Sequence, residues 1–465
     1  MGKVFASCLR WGKDILNENY VFIFFLIEIL GLSVEKYGKW FLYFNTVFLS
    51  AIIFYFFICF VFNKIYFNKC LKRQMIFVSI FSMYFILLNI FRILYNQFSI
   101  DILTFAVATY PTIALIFLIT LKKTPTMIIL KNIIFCSLIV SITQLCYFYY
   151  INSILHLWYF PVSSFMLNSN IVNCFLVASL PLCYIFIYLS KKNKLHNRLA
   201  SGMSYSVLFL VPIVISLSGT RMGFALTTCF FIIGLLISIR DKMMRVKYFI
   251  ITSLVICSII ILGNTSNCSF FIYKSLNINT SNLMNAVKIS GNNVKETMAN
   301  QNPSSNVILN ESNSTEIHSN IADNIVIIST EENNDGGRFT LWRLGLSEIK
   351  KNIFTGTGKI LYAFKTGDQI SQPMSFHNFI LEIMVSIGAI GLILYATVII
   401  NPILSASRVI VKSKGYTVLF MLLLSVSFIL SFSLFEPFVM VNIIVMLLWV
   451  IISTIYNVSN LELSL

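Results

Sequence analysis

Charged residues are scarce in this sequence. Lys, Arg, Asp and Glu make up 11% of the 465 residues, whereas hydrophobic residues make up 57%. A soluble globular domain carries about 25% charged residues, so the composition excludes an ordinary soluble protein. The sequence therefore predicts a protein embedded in a membrane.

Acidic residues and histidines, which commonly ligate catalytic metals, are also few. There are 18 Asp and Glu residues and four histidines, and no two histidines stand at ligand spacing. The ten cysteines form no Cys-x-x-Cys pair. Most of them lie in or beside apolar runs, where free cysteine packs as a small hydrophobic residue. The sequence thus predicts no metal site, no disulfide framework and no cofactor.

The formal net charge of +16 raises the question of a nucleic-acid partner. Binding of that kind needs a basic soluble face, but here Lys and Arg cluster between apolar runs. The charge therefore indicates membrane topology, and we predict no nucleic-acid partner.

Long apolar segments set the predicted architecture. A spanning helix needs about 20 mainly apolar residues. Basic residues concentrate in alternate links, which the positive-inside rule assigns to the cytoplasm. The sequence therefore predicts an all-α integral membrane protein of about 12 transmembrane helices with both termini in the cytoplasm. The predicted spans are approximately 20–37, 40–62, 75–95, 101–121, 133–155, 171–190, 204–219, 222–239, 247–263, 377–400, 416–435 and 437–456.

The same alternation of basic and non-basic links places one large loop outside the cytoplasm. Residues 1–263 hold helices one to nine, residues 264–376 form the loop, and residues 377–465 hold helices ten to twelve. The loop begins with an Asn- and Ser-rich stretch of little apolar periodicity. An amphipathic helix is predicted near 338–353, lying at the membrane interface or covering the bundle. Its predicted apolar stripe consists of Phe339, Trp342, Leu346, Ile349 and Ile353.

Two arginines outside the cytoplasm are candidates for binding an anion. Arg221 stands in the turn Ser-Gly-Thr-Arg between two apolar helices, where a guanidinium is costly unless it meets an anion or a water-filled cavity. Arg338 opens the amphipathic helix, where free N–H groups and the helix dipole favour an anion. The alternatives are an Arg221 that snorkels to the surface and an Arg338 that is an exposed helix charge. Arg343 is a secondary candidate, and its alternative is likewise an exposed helix charge.

The stretch MSFHNFILEIMVSIGAIGLILY carries the third candidate. His377 begins the tenth helix, and Gly388 and Gly391 lie on its face, which favours close packing of another helix below the imidazole. The functional hypothesis is a general base, because imidazole accepts a proton near neutral pH. The alternative is a capping or interfacial histidine, with Asn378 as a competing cap.

Arg92 and Glu28 lie inside predicted spans. Charged groups are costly there, so we expect them to pair with each other, to mark a pathway or to contact a lipid headgroup. They are secondary site candidates.

Taken in order, these motifs resemble those of the O-antigen ligase and O-antigen polymerase superfamily of bacterial envelope glycosyltransferases. The resemblance covers roughly residues 204–400. It rests on Ser-Gly-Thr-Arg at a helix start, on GGRFTLWRLGLSEIKKNIFTGTG at the end of the loop, and on FHNFILEIMVSIGAIGLILY. It implies a GT-C-like helical fold and metal-independent transfer of a glycan from undecaprenyl diphosphate, at a site on the outer face of the bacterial cytoplasmic membrane.

The resemblance also implies the roles of the site residues. Arg221 and Arg338 would bind the diphosphate, because guanidinium groups stabilise such a leaving group without a metal ion. His377 would deprotonate the acceptor hydroxyl. The implied partners are the lipid-linked oligosaccharide, an acceptor glycan or glycolipid, the lipid bilayer and a chain-length regulator.

The matched motifs do not separate polymerase from ligase. A polymerase transfers the glycan to a sugar hydroxyl of another lipid-linked repeat unit, whereas a ligase transfers it to lipid A core. We prefer the polymerase because each glycan structure demands its own enzyme, so that polymerases diverge widely. A flippase or transporter of lipid-linked sugars and a non-catalytic assembly or sensor protein are further alternatives.

Overall fold

The computed structural model describes the parts of the chain that surround the candidate site. The described residues are 25–27, 29, 69–94, 126–155, 169–192, 198–218, 220–240, 326–329, 338–359, 362–366, 369–370, 375–410, 416–435 and 442–463. The predicted spans 40–62, 101–121 and 247–263 and the Asn-rich stretch of the loop lie outside them. Only a short helical piece of the predicted span 20–37 is described.

Helices dominate the described residues. Six of them (α1 to α5 and α7) are long and apolar enough to cross a membrane, and α8 and α9 contain shorter apolar helices. This confirms a helical, multi-pass membrane protein, while the count of twelve spans and the GT-C plan remain predictions. The bounds are α1 Lys69–Leu94, α2 Thr126–Leu155, α3 Ser169–Lys192, α4 Arg198–Ser218, α5 Arg221–Arg240, α6 Arg338–Lys351, α7 Phe379–Ile410, α8 Tyr416–Ser433 and α9 Asn442–Leu463.

A small sheet between α5 and α7 departs from the all-α prediction. Strand β1 (Val326–Ser329) pairs in parallel with β2 (Tyr362–Thr366), which pairs antiparallel with β3 (Gln369–Ile370). The Tyr362 side chain is buried, and its ring lies 4.9 Å from that of Phe376. The sheet is therefore anchored on the residue that precedes His377.

The core of the bundle is built around α3. This helix is buried along almost its whole length, and α2, α4 and α8 pack along it. A helix that is apolar all round belongs in the centre of a bundle, because every face can be covered by other helices. Helix α5, which begins with Arg221, also packs on α3.

Helix α1 runs antiparallel to α7. Near its start, Gln74 Nε2 donates to the Val398 carbonyl at 2.8 Å and Gln74 Oε1 accepts from Asn401 Nδ2 at 2.9 Å. Near its end, Arg92 reaches the Ser386 carbonyl. The end of α1 therefore lies beside the first turns of α7, directly after His377.

Candidate functional site

The backbone at the start of α7 sets His377 apart from the helix. Its φ is 51°, in the left-handed region that few residues other than glycine adopt. Asn378 is the N-cap: its Oδ1 accepts the N–H groups of Ile380 and Leu381, both at 3.1 Å. Its Nδ2 donates to the Leu434 carbonyl beyond α8, also at 3.1 Å. Because Asn378 caps the helix, the half-buried His377 is not needed for capping.

A buried carboxyl group lies close to this histidine. Glu382 is 0% exposed and interacts electrostatically with His377. It also lies near the Ser375 hydroxyl, yet neither carboxylate oxygen has a hydrogen-bond partner of standard geometry among the described residues. Sequence reasoning passed over Glu382, although a carboxyl inside an apolar helix is costly enough to indicate a function.

The amphipathic helix α6 covers the start of α7. Trp342 Nε1 donates to the Phe376 carbonyl at 3.0 Å. A Cβ at Gly345 would lie 3.1 Å from the Phe376 ring, so α6 approaches closely at this point. Leu341 and Ile349 are buried in the same apolar cluster as Phe376. The helix thus contacts the residue directly before His377.

The predicted apolar stripe of α6 is only partly correct. Ile349 is buried, but Leu346 is 52% exposed and Ile353 is 46% exposed. The buried face instead runs through Leu341 and Gly345. Glycine at position 345 admits the Phe376 ring, and this contact turns the helix away from the orientation that hydrophobicity alone predicts.

Arg338 is the first residue of α6. By helical spacing, position 338 falls on the same face as Leu341, Trp342 and Gly345, the face that meets the start of α7. Arg343 falls on the opposite side and is exposed. The backbone at position 338 therefore lies on the face of α6 that packs against Phe376, the residue before His377. The Arg338 side chain lies outside the described part of the structure.

Arg221 begins α5 directly after a turn that is held from α3. Buried Asn173 donates through Nδ2 to Ser218 Oγ and Thr220 Oγ1, both at 2.7 Å. The Thr220 carbonyl accepts the N–H of Phe224 at 3.0 Å, so Thr220 occupies the cap position. Asn173 therefore fixes where the helix of Arg221 starts. Sequence reasoning missed this contact, which joins residues 47 positions apart.

The structure joins part of the predicted site. It packs the helix of Arg338 on the residue before His377, and Asn378 bonds to the end of α8, which packs along α3. Helix α3 in turn holds the turn before Arg221. The convergence of the three side chains remains a prediction, because the Arg221 and Arg338 side chains are not described.

Gly388 interrupts α7 one turn and a half beyond Glu382. Its φ is 74°, and the helix continues on the other side of the break. The sequence predicted that another helix would pack against Gly388 and Gly391. Helix α1 does pack on this part of α7, where the Tyr84 hydroxyl donates to the Ile387 carbonyl, and a loop occupies the break itself: a Cβ at Gly388 would lie 2.1 Å from the Phe354 carbonyl oxygen. This loop, residues 353–358, follows directly after α6.

Arg92 reaches this break from α1. Its Nη2 donates to the Thr355 carbonyl at 2.6 Å and to the Ser386 carbonyl at 2.9 Å. Its side chain is 4% exposed. Glu28, its predicted partner, lies outside the described residues, so their pairing remains untested.

Metal-ligating side chains do not gather in the described part of the chain. There, no group of three or more His, Cys, Asp and Glu side chains could hold a metal ion.

The fold and the site together define a multi-pass membrane protein whose candidate site lies at the start of one spanning helix, beneath an amphipathic helix. Residues 205–396 match the Wzy_C family model, described as O-antigen ligase. The match confirms the resemblance to the O-antigen ligase and O-antigen polymerase superfamily and indicates a glycosyltransferase-like enzyme. It contains Arg221, Arg338 and His377, and it leaves out Asn173 and Arg92. No significant match to a curated protein was found.

Proposed function

We propose that the protein is a surface polysaccharide polymerase. It would transfer a glycan from undecaprenyl diphosphate to a sugar hydroxyl of another lipid-linked repeat unit, without a metal ion. The observation that carries the proposal is the packing of α6, which begins with Arg338, on the residue directly before His377. This pairing of a cationic helix start with a histidine lies inside the matched family region.

The two arginines can stabilise the negative charge that develops in this reaction. As the bond between the anomeric carbon and the diphosphate oxygen breaks, negative charge develops on the leaving group. Planar guanidinium groups bind such oxygens bidentately and stabilise that charge. We assign this role to Arg221 and Arg338, each of which stands at a helix N-terminus, where the helix dipole adds to the effect.

His377 supplies the base. It takes the proton of the acceptor hydroxyl while the acceptor oxygen forms its bond to the anomeric carbon and the diphosphate leaves from the opposite side. Inversion at that carbon follows from a single displacement. Glu382, which is fully buried close to His377, is the group that we assign to stabilising the imidazolium formed in this step.

The location of the site follows from the charges at the helix ends. Basic residues stand near the start of α1 and the ends of α3, α5 and α7, which the positive-inside rule assigns to the cytoplasm. The starts of α5 and α7, with Arg221 and His377, then face outward from the cytoplasmic membrane. This orientation requires a cytoplasmic C-terminus, where fused alkaline phosphatase is inactive. Full activity of a C-terminal alkaline phosphatase fusion would therefore contradict the orientation.

The ligase remains the second candidate, because the family model carries that description. A ligase needs the same clamp and base and differs in its acceptor. A transporter receives less support. A broken helix such as α7 occurs in transporters, but here protein groups satisfy the backbone at the break rather than leaving it open to a cavity.

The test is the surface-glycan ladder of a strain that lacks this protein, complemented with wild type, His377→Ala or the control His196→Ala. The polymerase predicts long ladders for wild type and control and a single-repeat band for His377→Ala. Loss of all repeats from lipid A core, with polymer retained on undecaprenyl diphosphate, would instead identify a ligase. A ladder unchanged by His377→Ala would remove His377 from the chemistry.

A further inference from the structure

We infer that Arg92 is a positioning residue that holds the two arms of the site in register. One arm is α6, which begins with Arg338. The other is the first segment of α7, Phe379–Ile387, which follows His377. The catalytic consequence rests on the proposed function, whereas the structural role does not.

The break at Gly388 makes the first segment of α7 a separate short helix. In a continuous helix, the carbonyls of residues 385, 386 and 387 would accept N–H groups four residues further on. Here all three accept hydrogen bonds from outside α7. Thr357 N–H donates to Val385 at 2.6 Å, Gly358 N–H to Ser386 at 3.0 Å, and Tyr84 hydroxyl to Ile387 at 2.7 Å.

Loop 353–358 supplies the matching backbone groups. The Ile353 carbonyl accepts the N–H of Ala389 at 2.8 Å, on the far side of the break. Gly356, with φ 65°, lies against Gly388, where a Cβ on Gly356 would be 2.6 Å from the Gly388 nitrogen. Only glycine at both positions permits this approach. The loop therefore satisfies backbone groups that a spanning helix cannot leave without partners.

Arg92 joins the loop and the helix segment through a single nitrogen. Nη2 donates both to Thr355 of the loop and to Ser386 of the segment. Tyr84, two turns earlier on α1, does the same with its hydroxyl, which also lies 3.1 Å from the Phe354 carbonyl. The guanidinium stands at the C-terminal end of the segment, where the helix dipole favours a cation.

The cost of this arrangement argues for a specific role. A guanidinium that is 4% exposed inside a spanning helix is unfavourable, and charged groups there are usually functional. Its other terminal nitrogen, Nη1, is buried without a hydrogen-bond partner among the described residues. Among the described residues, the two carbonyl groups that Arg92 contacts are the two that bridge the arms.

The two hydrogen bonds of Arg92 act at the end of the α7 segment that lies away from His377. The loop follows α6 directly, so fixing Thr355 limits how α6 slides over α7. Fixing Ser386 sets the lower end of the segment whose upper end Asn378 caps. Arg92 thereby controls the spacing of Arg338 and His377 without contacting either, from a position outside the matched family region.

The structural test is hydrogen exchange of the loop and break amides in the purified full-length protein. The reporters are the N–H groups of Thr357, Gly358 and Ala389. Arg92→Met should speed their exchange about tenfold, because two hydrogen bonds from a charged donor are lost. Tyr84→Phe, a milder change, should speed it less. Arg73→Met, the same change at the exposed far end of α1, should leave it unchanged.

Exchange in Arg92→Met within about twofold of wild type, with a folded protein, would overturn the inference. If Arg92→Met does not fold, Arg92→Lys, which keeps the charge but lacks the planar guanidinium, decides in its place, and exchange unchanged from wild type there would overturn the inference.

The functional test is a double-mutant cycle on transfer activity. If Arg92 acts by positioning His377, Arg92→Met as a single substitution lowers kcat by about tenfold or more. Added to His377→Ala, the same substitution causes no further loss of kcat. Additive losses would contradict this coupling. If the proposed function is wrong, His377→Ala leaves the glycan ladder unchanged, while the exchange experiment still tests the bridge.

Discussion

At the scale of single residues, the most informative group is the carboxyl of Glu382. Burial of a carboxyl group in an apolar core reduces the stability of the fold. Glu382 is fully buried, and its electrostatic interaction is with His377. A residue that costs stability and interacts with the proposed base is best explained by a contribution to the reaction.

The substitution Glu382→Gln separates the contribution of Glu382 to the reaction from its effect on stability. The neutral amide keeps the shape but cannot stabilise an imidazolium, so we expect kcat to fall by roughly tenfold or more with little change in KM. The melting temperature should stay level or rise, because a buried charge has been removed. Glu348→Gln on α6, which removes only an ion pair with Lys351, is the control and should leave kcat unchanged. A lower melting temperature with unchanged kcat would make Glu382 a structural residue.

Sequence alone located some of these residues and not others. His377 and Arg338 stand out because polar groups adjoin apolar helices there. The signal for Glu382 was present in the sequence but was given no weight. The roles of Arg92 and Asn173 could not be predicted, because Arg92 bonds to residues 263 and 294 positions away and Asn173 to residues 45 and 47 positions away. Such contacts depend on the packing of the whole bundle.

At the scale of elements, the break in α7 governs the geometry of the site. A straight helix would place His377 on a continuous rod from one membrane face to the other. The break instead frees the first segment, which is then fixed by Asn378 at its start and by loop 353–358 at its end. The position of His377 thus depends on glycine at both 388 and 356.

Gly388→Ala should therefore be severely disruptive. With φ 74° and ψ 179°, Gly388 has a backbone conformation that is essentially restricted to glycine and costs another residue about 1–3 kcal/mol. The new Cβ would also lie 2.1 Å from the Phe354 carbonyl oxygen, which belongs to the backbone and cannot rotate away.

We expect loss of activity and a clear drop in melting temperature for Gly388→Ala in detergent. Gly202→Ala, at a site with no atom within 4 Å of the added Cβ, is the control and should behave as wild type. Equal melting temperatures for the two variants would show that α7 can straighten at no cost.

Helix positions were largely predictable and helix details were not. The separation of α4 from α5 at the Ser-Gly-Thr turn was correct, because the polar turn interrupts two apolar runs. The rotation of α6 was wrong, because the Gly345–Phe376 contact lies outside any hydrophobic periodicity. The three short strands, of two to five residues each, are too short to give an alternating pattern.

At the scale of the whole molecule, the bundle carries a site assembled from distant parts of the chain. Helix α3 holds the turn before Arg221, α1 holds the break in α7, and α6 covers His377. The family match runs from within α4 to the first half of α7, while the supporting contacts come from α1 and α3, outside it. The described helices α1 and α3 thus support the matched part.

We propose above that this protein joins lipid-linked glycans with His377 as the base. The most direct measurement uses the purified protein in vesicles with one undecaprenyl-diphosphate-linked repeat unit and a metal chelator. The account predicts glycans longer by whole repeats, one undecaprenyl diphosphate released per bond formed, and a rate about 10²–10⁴ lower for His377→Ala. Elongation by His377→Ala at the wild-type rate, or none by the wild type, would contradict it.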